Sequence, residues 1–278
     1  MANSPGTPEG THGGDGGIRL SVDGPVATIT IDRPGRRNAL RWDMVTALRH
    51  AVADVAANDT ARVVVLTGAG DRAFCAGVDL ATMAGGDDPA ETSASRAELA
   101  ALFGDLWALG KPTIAAVAGY ALAGGMGLAL ACDLVVATED ATFGLPEIDV
   151  GLWPFMVTVP LLRSMPPKVA LELMMTGRRI PAAEAQAMGF VNRVVPAAGL
   201  TNAVADIASV LAQKPPGAMA AGRTSFYDTL DLTSDVALAR LCEQLNVVAE
   251  GAEAAEGMAA FAAKRPPVWR TNPEGNPT

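Results

Sequence analysis

The chain predicts an α/β fold, with a core that alternates short strands, loops and helices ahead of a helical C-terminal part. Three observations carry this expectation. Short β-branched runs, "RVVVLTG" (62–68), "PTIAAVAG" (112–119) and "DLVVAT" (133–138), read as strands buried on both faces. Glycine-punctuated loops and apolar residues at helical spacing separate them. After Pro196 the pattern turns mostly helical as far as Ala263, with one break at "QKPPGA" (213–218). The expected organisation is a tail at 1–17, a core at 18–198, a helical region at 199–270 and a tail at 271–278.

Taken in order, "MANSPGTPEGTHGGDGG" is rich in glycine, proline and polar residues, which predicts disorder, and it lacks the basic-then-apolar signature of a signal peptide. Ile18 to Val22 and Val26 to Ile31 alternate around Asp23–Gly24, as a β-hairpin requires. "RPGRRNAL" breaks that pattern, and Met44, Val45, Leu48, Val52 and Val55 return at helical spacing. Gly85 to Ser95 reads as a mobile segment. A helix around Leu99 to Leu109 then stops at Gly110 and Pro112.

Composition narrows the function. A net charge of -9 and a pI near 4.7 exclude a nucleic-acid-coating surface but leave room for a local site that binds an anionic small molecule. Cys75, Cys132 and Cys242 form no C-x-x-C pair and read as buried small hydrophobes in a reducing, cytoplasmic setting. Of the two histidines, His12 lies in the tail and His50 on a helical pattern, so neither a Ser-His-Asp relay nor a histidine metal centre can be built. No metal is expected.

Thr113 to Cys132, "TIAAVAGYALAGGMGLALAC", has no charged side chain and is long enough to span a membrane. Its alanine and glycine content gains little from lipid, and Gly124–Gly125 divide it into a strand-like and a helix-like half. Burial inside a folded core fits better. "VVVLTGAGDRA" nearly spells a dinucleotide fingerprint, but "FCAGVDL" prolongs the loop where a helix should begin, so nucleotide binding is not expected.

"FCAGVDL" and "GYALAGGMGLALACD" each follow a strand and precede a helix, so each can present free backbone N–H groups at a helix start. Two such donors can converge on one oxygen that becomes negative during a reaction. Either segment alone reads as no more than a tight turn. Together with "RPGRRNAL", "ATFGLPEIDVGL", "MTGRRIPAAEAQAMGFVNRVVP" and "EGMAAFAAKRPPVW", in order from about Arg33 to Trp269, they make the chain resemble the crotonase (enoyl-CoA hydratase/isomerase) superfamily.

The resemblance implies a crotonase-like spiral of ββα units that binds acyl-CoA, with a C-terminal region that supports trimers or dimers of trimers. It also implies a CoA thioester substrate, no separate cofactor, and neither nucleic-acid nor membrane partners. By position, the N–H groups of Val78 and Gly124 form the oxyanion hole, and Glu147 of "FGLPEI" is the catalytic acid/base. Arg36, Arg37, Leu40 and Ala76 are the implied CoA-binding positions, and Met83, Trp153 and Phe155 line the implied acyl pocket. Lys264 and Arg265 are implied to reach a neighbouring subunit's adenine. Asp79 and Asp149 are assigned no catalytic role.

The departure is Gly127, where hydratases of the superfamily carry a second glutamate that helps activate water. With one carboxylate left, 3-enoyl to 2-enoyl-CoA isomerisation by a proton shuttle becomes the leading expectation. Hydration of a 2-enoyl-CoA is the first alternative. Thioester hydrolysis, for which the superfamily places an aspartate where Phe155 stands, and non-catalytic acyl-CoA binding follow it.

Overall fold

The structure is a computed structural model that describes residues 10–12, 16–84 and 89–270. Strands β1 (Gly10–His12), β2 (Gly17–Asp23) and β3 (Val26–Asp32) open the chain, and β2 and β3 form the expected hairpin, with Asp23 facing Val26. Gly24 takes φ +51 in the two-residue connection, a conformation that suits glycine. Strand β1 corrects the expected tail. Main-chain pairing of Gly10 to His12 along the free edge of β2 does not depend on side-chain composition, so a polar, glycine-rich segment can still supply a strand.

Helix α1 (Trp42–Ala56) buries Met44, Val45, Leu48, Val52 and Val55, the residues whose spacing predicts it. Three strand–strand units follow, each with one strand in each of two sheets. The first is β4 (Val63–Gly68) with β5 (Ala73–Cys75), the second β6 (Thr113–Val117) with β7 (Tyr120–Leu122), and the third β8 (Leu134–Thr138) with β9 (Thr142–Gly144). Strands β4, β6 and β8 lie side by side and parallel in a seven-stranded sheet, whereas β5, β7 and β9 lie parallel in a four-stranded one. Each unit therefore advances the chain by one turn of a spiral.

Helices connect the units. Helices α2 (Leu80–Ala84) and α3 (Pro89–Ala108) follow β5, and α4 (Gly124–Ala131) follows β7. Residues 89–95, expected to be mobile, belong to α3; proline at a first helical position needs no N–H partner and can start the helix ten residues before Leu99. Residues 85–88 lie outside the described residues. All eight residues of α4 are buried, which accounts for the uncharged run without a membrane. Among the described residues, no helix is long and apolar enough to cross one.

After β9 the chain forms α5 (Thr158–Ser164), α6 (Pro167–Thr176), β10 (Arg179–Pro181), α7 (Ala182–Ala187) and β11 (Arg193–Val195). Strand β10 closes the small sheet and β11 the large one. Four helices complete the described chain: α8 (Leu200–Ala212), α9 (Pro216–Thr229), α10 (Ser234–Ala249) and α11 (Ala252–Ala262). Cys75 and Cys132 are buried as expected, but Cys242 is exposed, because α10 buries none of its residues in this chain.

Candidate active site

The two glycine segments meet. Gly77 has φ +91, and a Cβ placed there would stand 2.7 Å from the Cβ of Ala123 and 3.3 Å from the nitrogen of Gly124. Only glycine permits this approach. A Cβ at Gly125 would lie 2.1 Å from the carbonyl oxygen of Cys75, so the same constraint holds one residue further along.

The donors left free around this contact follow from what the neighbouring groups already do. The N–H of Leu40 donates to Gly77 O at 2.8 Å, and the N–H of Asp79 donates to Leu40 O at 2.9 Å. Gly77 N–H donates to the Cys75 thiol sulfur at 3.4 Å. In this short parallel bridge between Leu40 and Val78, the intervening Val78 N–H points to the opposite side, away from residue 40. Gly124 is the first residue of α4, and its N–H has no intrahelical acceptor. Ala123 precedes it with φ 52, held in that strained state by its own N–H bond to Gly144 O at 2.9 Å.

Val78, Ala123 and Gly124 share one cavity of about 490 Å³ with Glu147, Trp153 and Phe155. Glu147 sits in a 3-10 turn, Pro146–Val150, begun by a proline. One carboxylate oxygen of Glu147 is buried without a hydrogen-bond partner. Burial pushes its pKa up to about 7, against a smaller opposing effect from its own backbone N–H. A carboxyl group in that range can accept and release a proton near neutral pH.

Gly127 faces elsewhere. A Cβ there would meet the Phe103 ring at 2.9 Å and Val157 methyl groups at 3.1 and 3.3 Å. Two buried apolar side chains thus stand where a side chain at residue 127 would begin, and one of them, Val157, also lines the cavity.

Of the implied CoA positions, Ala76 lines the cavity, while Arg36 and Arg37 are exposed and lie outside its lining. The Arg37 guanidinium sits 5.6 Å from the centre of the Tyr120 ring, and Arg179 approaches the same ring at 5.5 Å. Leu40 lies outside the cavity lining: its side chain is fully buried, and its N–H and C=O are bonded to Gly77 O and Asp79 N–H, so it braces the loop. Arg265 is engaged within the chain by Glu256 at 2.6 Å. Met83 falls in α2, and its side chain lies outside the described residues. Asp79 caps the start of α2 through Ala81 N–H at 3.0 Å and pairs with Arg33 at 2.7 Å; Asp149 lines the cavity and is exposed.

Several contributors were not anticipated. Trp42, Arg96 and Leu99 line the cavity, and Asn38, fully buried at φ 55, ties its loop to the β4–β5 turn through bonds to Ala69 O (3.0 Å) and Ala73 O (2.6 Å). The i, i+3, i+7 spacing of Arg96, Leu99 and Phe103 was the available signal, hidden by the reading of residues 85–95 as mobile. The near-fingerprint at Gly68 leads from β4 into β5 with no intervening helix, and a Cβ at Gly68 would lie 2.3 Å from Phe74 O. Its glycine serves strand packing.

Comparison with known proteins gives a consistent picture. An enoyl-CoA hydratase/isomerase family model matches residues 22–272. A carnitinyl-CoA dehydratase of Salmonella enteritidis is 36% identical over 258 residues, covering 91% of this chain and 98% of that one. The crystal structure of an enoyl-CoA hydratase from Mycobacterium smegmatis superposes with a TM-score of 0.87 at 34% identity, over 91% of this chain and 98% of that chain. That of an enoyl-CoA hydratase from Polaromonas gives 0.86 at 32%, over 91% and 99%.

Proposed function

The chain belongs to the enoyl-CoA hydratase/isomerase family, and from that premise we propose that it converts 3-enoyl-CoA to 2-enoyl-CoA, with Glu147 as proton shuttle. In this reading the thioester oxygen accepts hydrogen bonds from the N–H groups of Val78 and Gly124. The Glu147 carboxylate takes a proton from C2, and the electron pair of that C–H bond forms a dienolate whose negative oxygen the two donors stabilise. Returned at C4, the same proton leaves the double bond between C2 and C3. Coenzyme A enters as part of the substrate, and no other cofactor is needed. Arg36, Arg37 and the main chain near Ala76 are assigned to its CoA portion, and Trp153 and Phe155 to the acyl portion.

The observation that carries this reading is the packing at Gly127. Phe103 and Val157 stand where a side chain at residue 127 would begin, while Glu147 keeps a buried, unpartnered carboxylate oxygen at the cavity. Hydration is the second reading, favoured by the names of the relatives and by Asp149, which lines the same cavity and is free to hold a water. Supplying a 3-enoyl-CoA and a 2-enoyl-CoA separately decides between them. The shuttle predicts turnover of the first, little hydration of the second, and a loss of about 100-fold or more in Glu147→Gln. Rapid hydration of the 2-enoyl-CoA, or an active Glu147→Gln, would overturn it.

The same reading includes self-association through the C-terminal helices as a homotrimer or a dimer of trimers. Leu238, Leu245 and Val247 of α10 and Phe261 of α11 are large apolar residues left exposed on the single chain. A monomeric mass by light scattering contradicts it. A cytoplasmic setting completes the reading, supported by three unpaired cysteines. Secretion of the native protein into an oxidising compartment contradicts that part.

A further inference from the structure

Helices α3 and α4 run alongside each other in the same sense. Leu99 lies beside Gly124, its methyl 3.7 Å from where a Cβ of Gly124 would be, and Phe103 lies beside Gly127. One turn before Leu99, about 4.5 Å back along the axis, α3 carries Arg96. Arg96 lines the same cavity as Glu147 and is exposed at its edge. Apart from Arg96, the ionisable residues lining the cavity are two acids, Glu147 and Asp149; its other walls are mostly apolar and include Trp42, Trp153 and Phe155. Among the described residues Arg96 has no carboxylate partner, a state it shares with exposed arginines such as Arg36 and Arg37.

We propose that Arg96 recognises a carboxylate at the far end of the acyl group, so that the preferred substrate is an acyl-CoA carrying a second, distal carboxylate. The inference rests on the acyl-CoA reading of the cavity. A guanidinium offers a planar fork of donors that suits a carboxylate, and Arg96 presents it at the solvent-exposed edge of the cavity. Asp149 repels such a tail from its own side of the cavity and so directs it toward α3. The arginines assigned to CoA phosphates, Arg36 and Arg37, lie outside the cavity lining, which makes Arg96 a separate cationic point.

The test compares hex-3-enoyl-CoA with its analogue bearing a terminal carboxylate, on the full-length protein, together with binding of the unreactive hexanoyl-CoA and adipoyl-CoA. The expected preference for the carboxylated member is ~2- to 5-fold in kcat/KM and in Kd, the range of a solvent-exposed ion pair. Arg96→Gln is expected to bring that ratio close to one, and Arg96→Lys to restore part of it. No preference in the parent protein overturns the proposal, as does an equal loss on both substrates in Arg96→Gln, which would make Arg96 a phosphate contact or a structural residue. Failure to bind either unreactive ligand sinks the acyl-CoA reading itself; equal binding of both sinks the distal carboxylate alone.

Discussion

Two acids flank helix α4, and the protein treats them in opposite ways. Asp133, beyond the C-terminal end, accepts hydrogen bonds from Thr113 N–H (2.7 Å), the Thr113 hydroxyl (3.0 Å), Arg223 Nε (2.7 Å) and the Tyr227 hydroxyl (2.6 Å). Glu147 shares the cavity at the N-terminal end, with one oxygen buried and no partner. Taking a carboxylate out of water is costly unless it is paired or neutral. At Asp133 pairing meets that cost, and at Glu147 a shifted proton equilibrium does. The contrast separates an acid that fixes architecture from one left free for chemistry.

The saturated cluster also explains how the cavity keeps its shape. Arg223 of α9 donates to Leu106 O and Trp107 O near the end of α3 while holding Asp133 beyond the end of α4. One guanidinium thus pins the C-terminal ends of α3 and α4, the two helices that carry Arg96 and Gly124. Asp133→Ala would strand the Arg223 charge, whose side chain is 5% exposed, and should cost about 3–5 kcal/mol in urea unfolding. A cost under about 1 kcal/mol would end the distinction drawn between the two acids.

The free acid should behave in reverse, with the next largest effect. Because the folded-state pKa of Glu147 stands above the ordinary 4.5, the unfolded chain releases this proton first as pH rises. Stability is therefore lost between about pH 4.5 and 7 and stays low above that window. Glu147→Gln, which cannot ionise, should match the parent near pH 4 and exceed it by about 1–3 kcal/mol at pH 8. A destabilised Glu147→Gln at pH 8 would show that the carboxylate has a partner after all.

How much of this the sequence revealed depends on the range of the interaction. The hairpin, α1 and the buried β-branched strands were legible because periodicity and turn chemistry are local. Val78, Gly124 and Glu147 were legible only as parts of a motif set, since nothing local brings three segments to one cavity. The contact of Gly77 with Ala123, the role of Asn38 and the apolar filling at Gly127 depend on pairs far apart in sequence. The same holds for Leu40, whose position in a motif did not reveal that its main-chain groups bond to Gly77 and Asp79. Arg96 escaped notice because glycines and acids at 85–88 masked a helix that begins at Pro89.

Asp79 lies between the two extremes and sharpens the comparison. Its carboxylate sits next to Val78, pairs with Arg33 with side chains 16% and 14% exposed, and caps α2 through Ala81 N–H. The Arg33 hydrogen bond, with the Ala81 N–H adding to it, holds its pKa below the ordinary 3.8 despite opposing desolvation. The stabilisation is thus complete above pH 3.8 and is lost as pH falls through the lower folded value. Asp79→Asn keeps an oxygen for the Ala81 N–H and removes only the charge, so it isolates the Arg33 pair. The expected cost is about 1 kcal/mol at pH 6, between an exposed pair and a buried one, and it should be smaller at about pH 3, below the ordinary 3.8. Unfolding of parent and variant at the two pH values measures it. A pH-independent cost would assign Asp79 to the loop's shape, whereas the expected one makes it a charge clamp on the segment that presents the Val78 N–H.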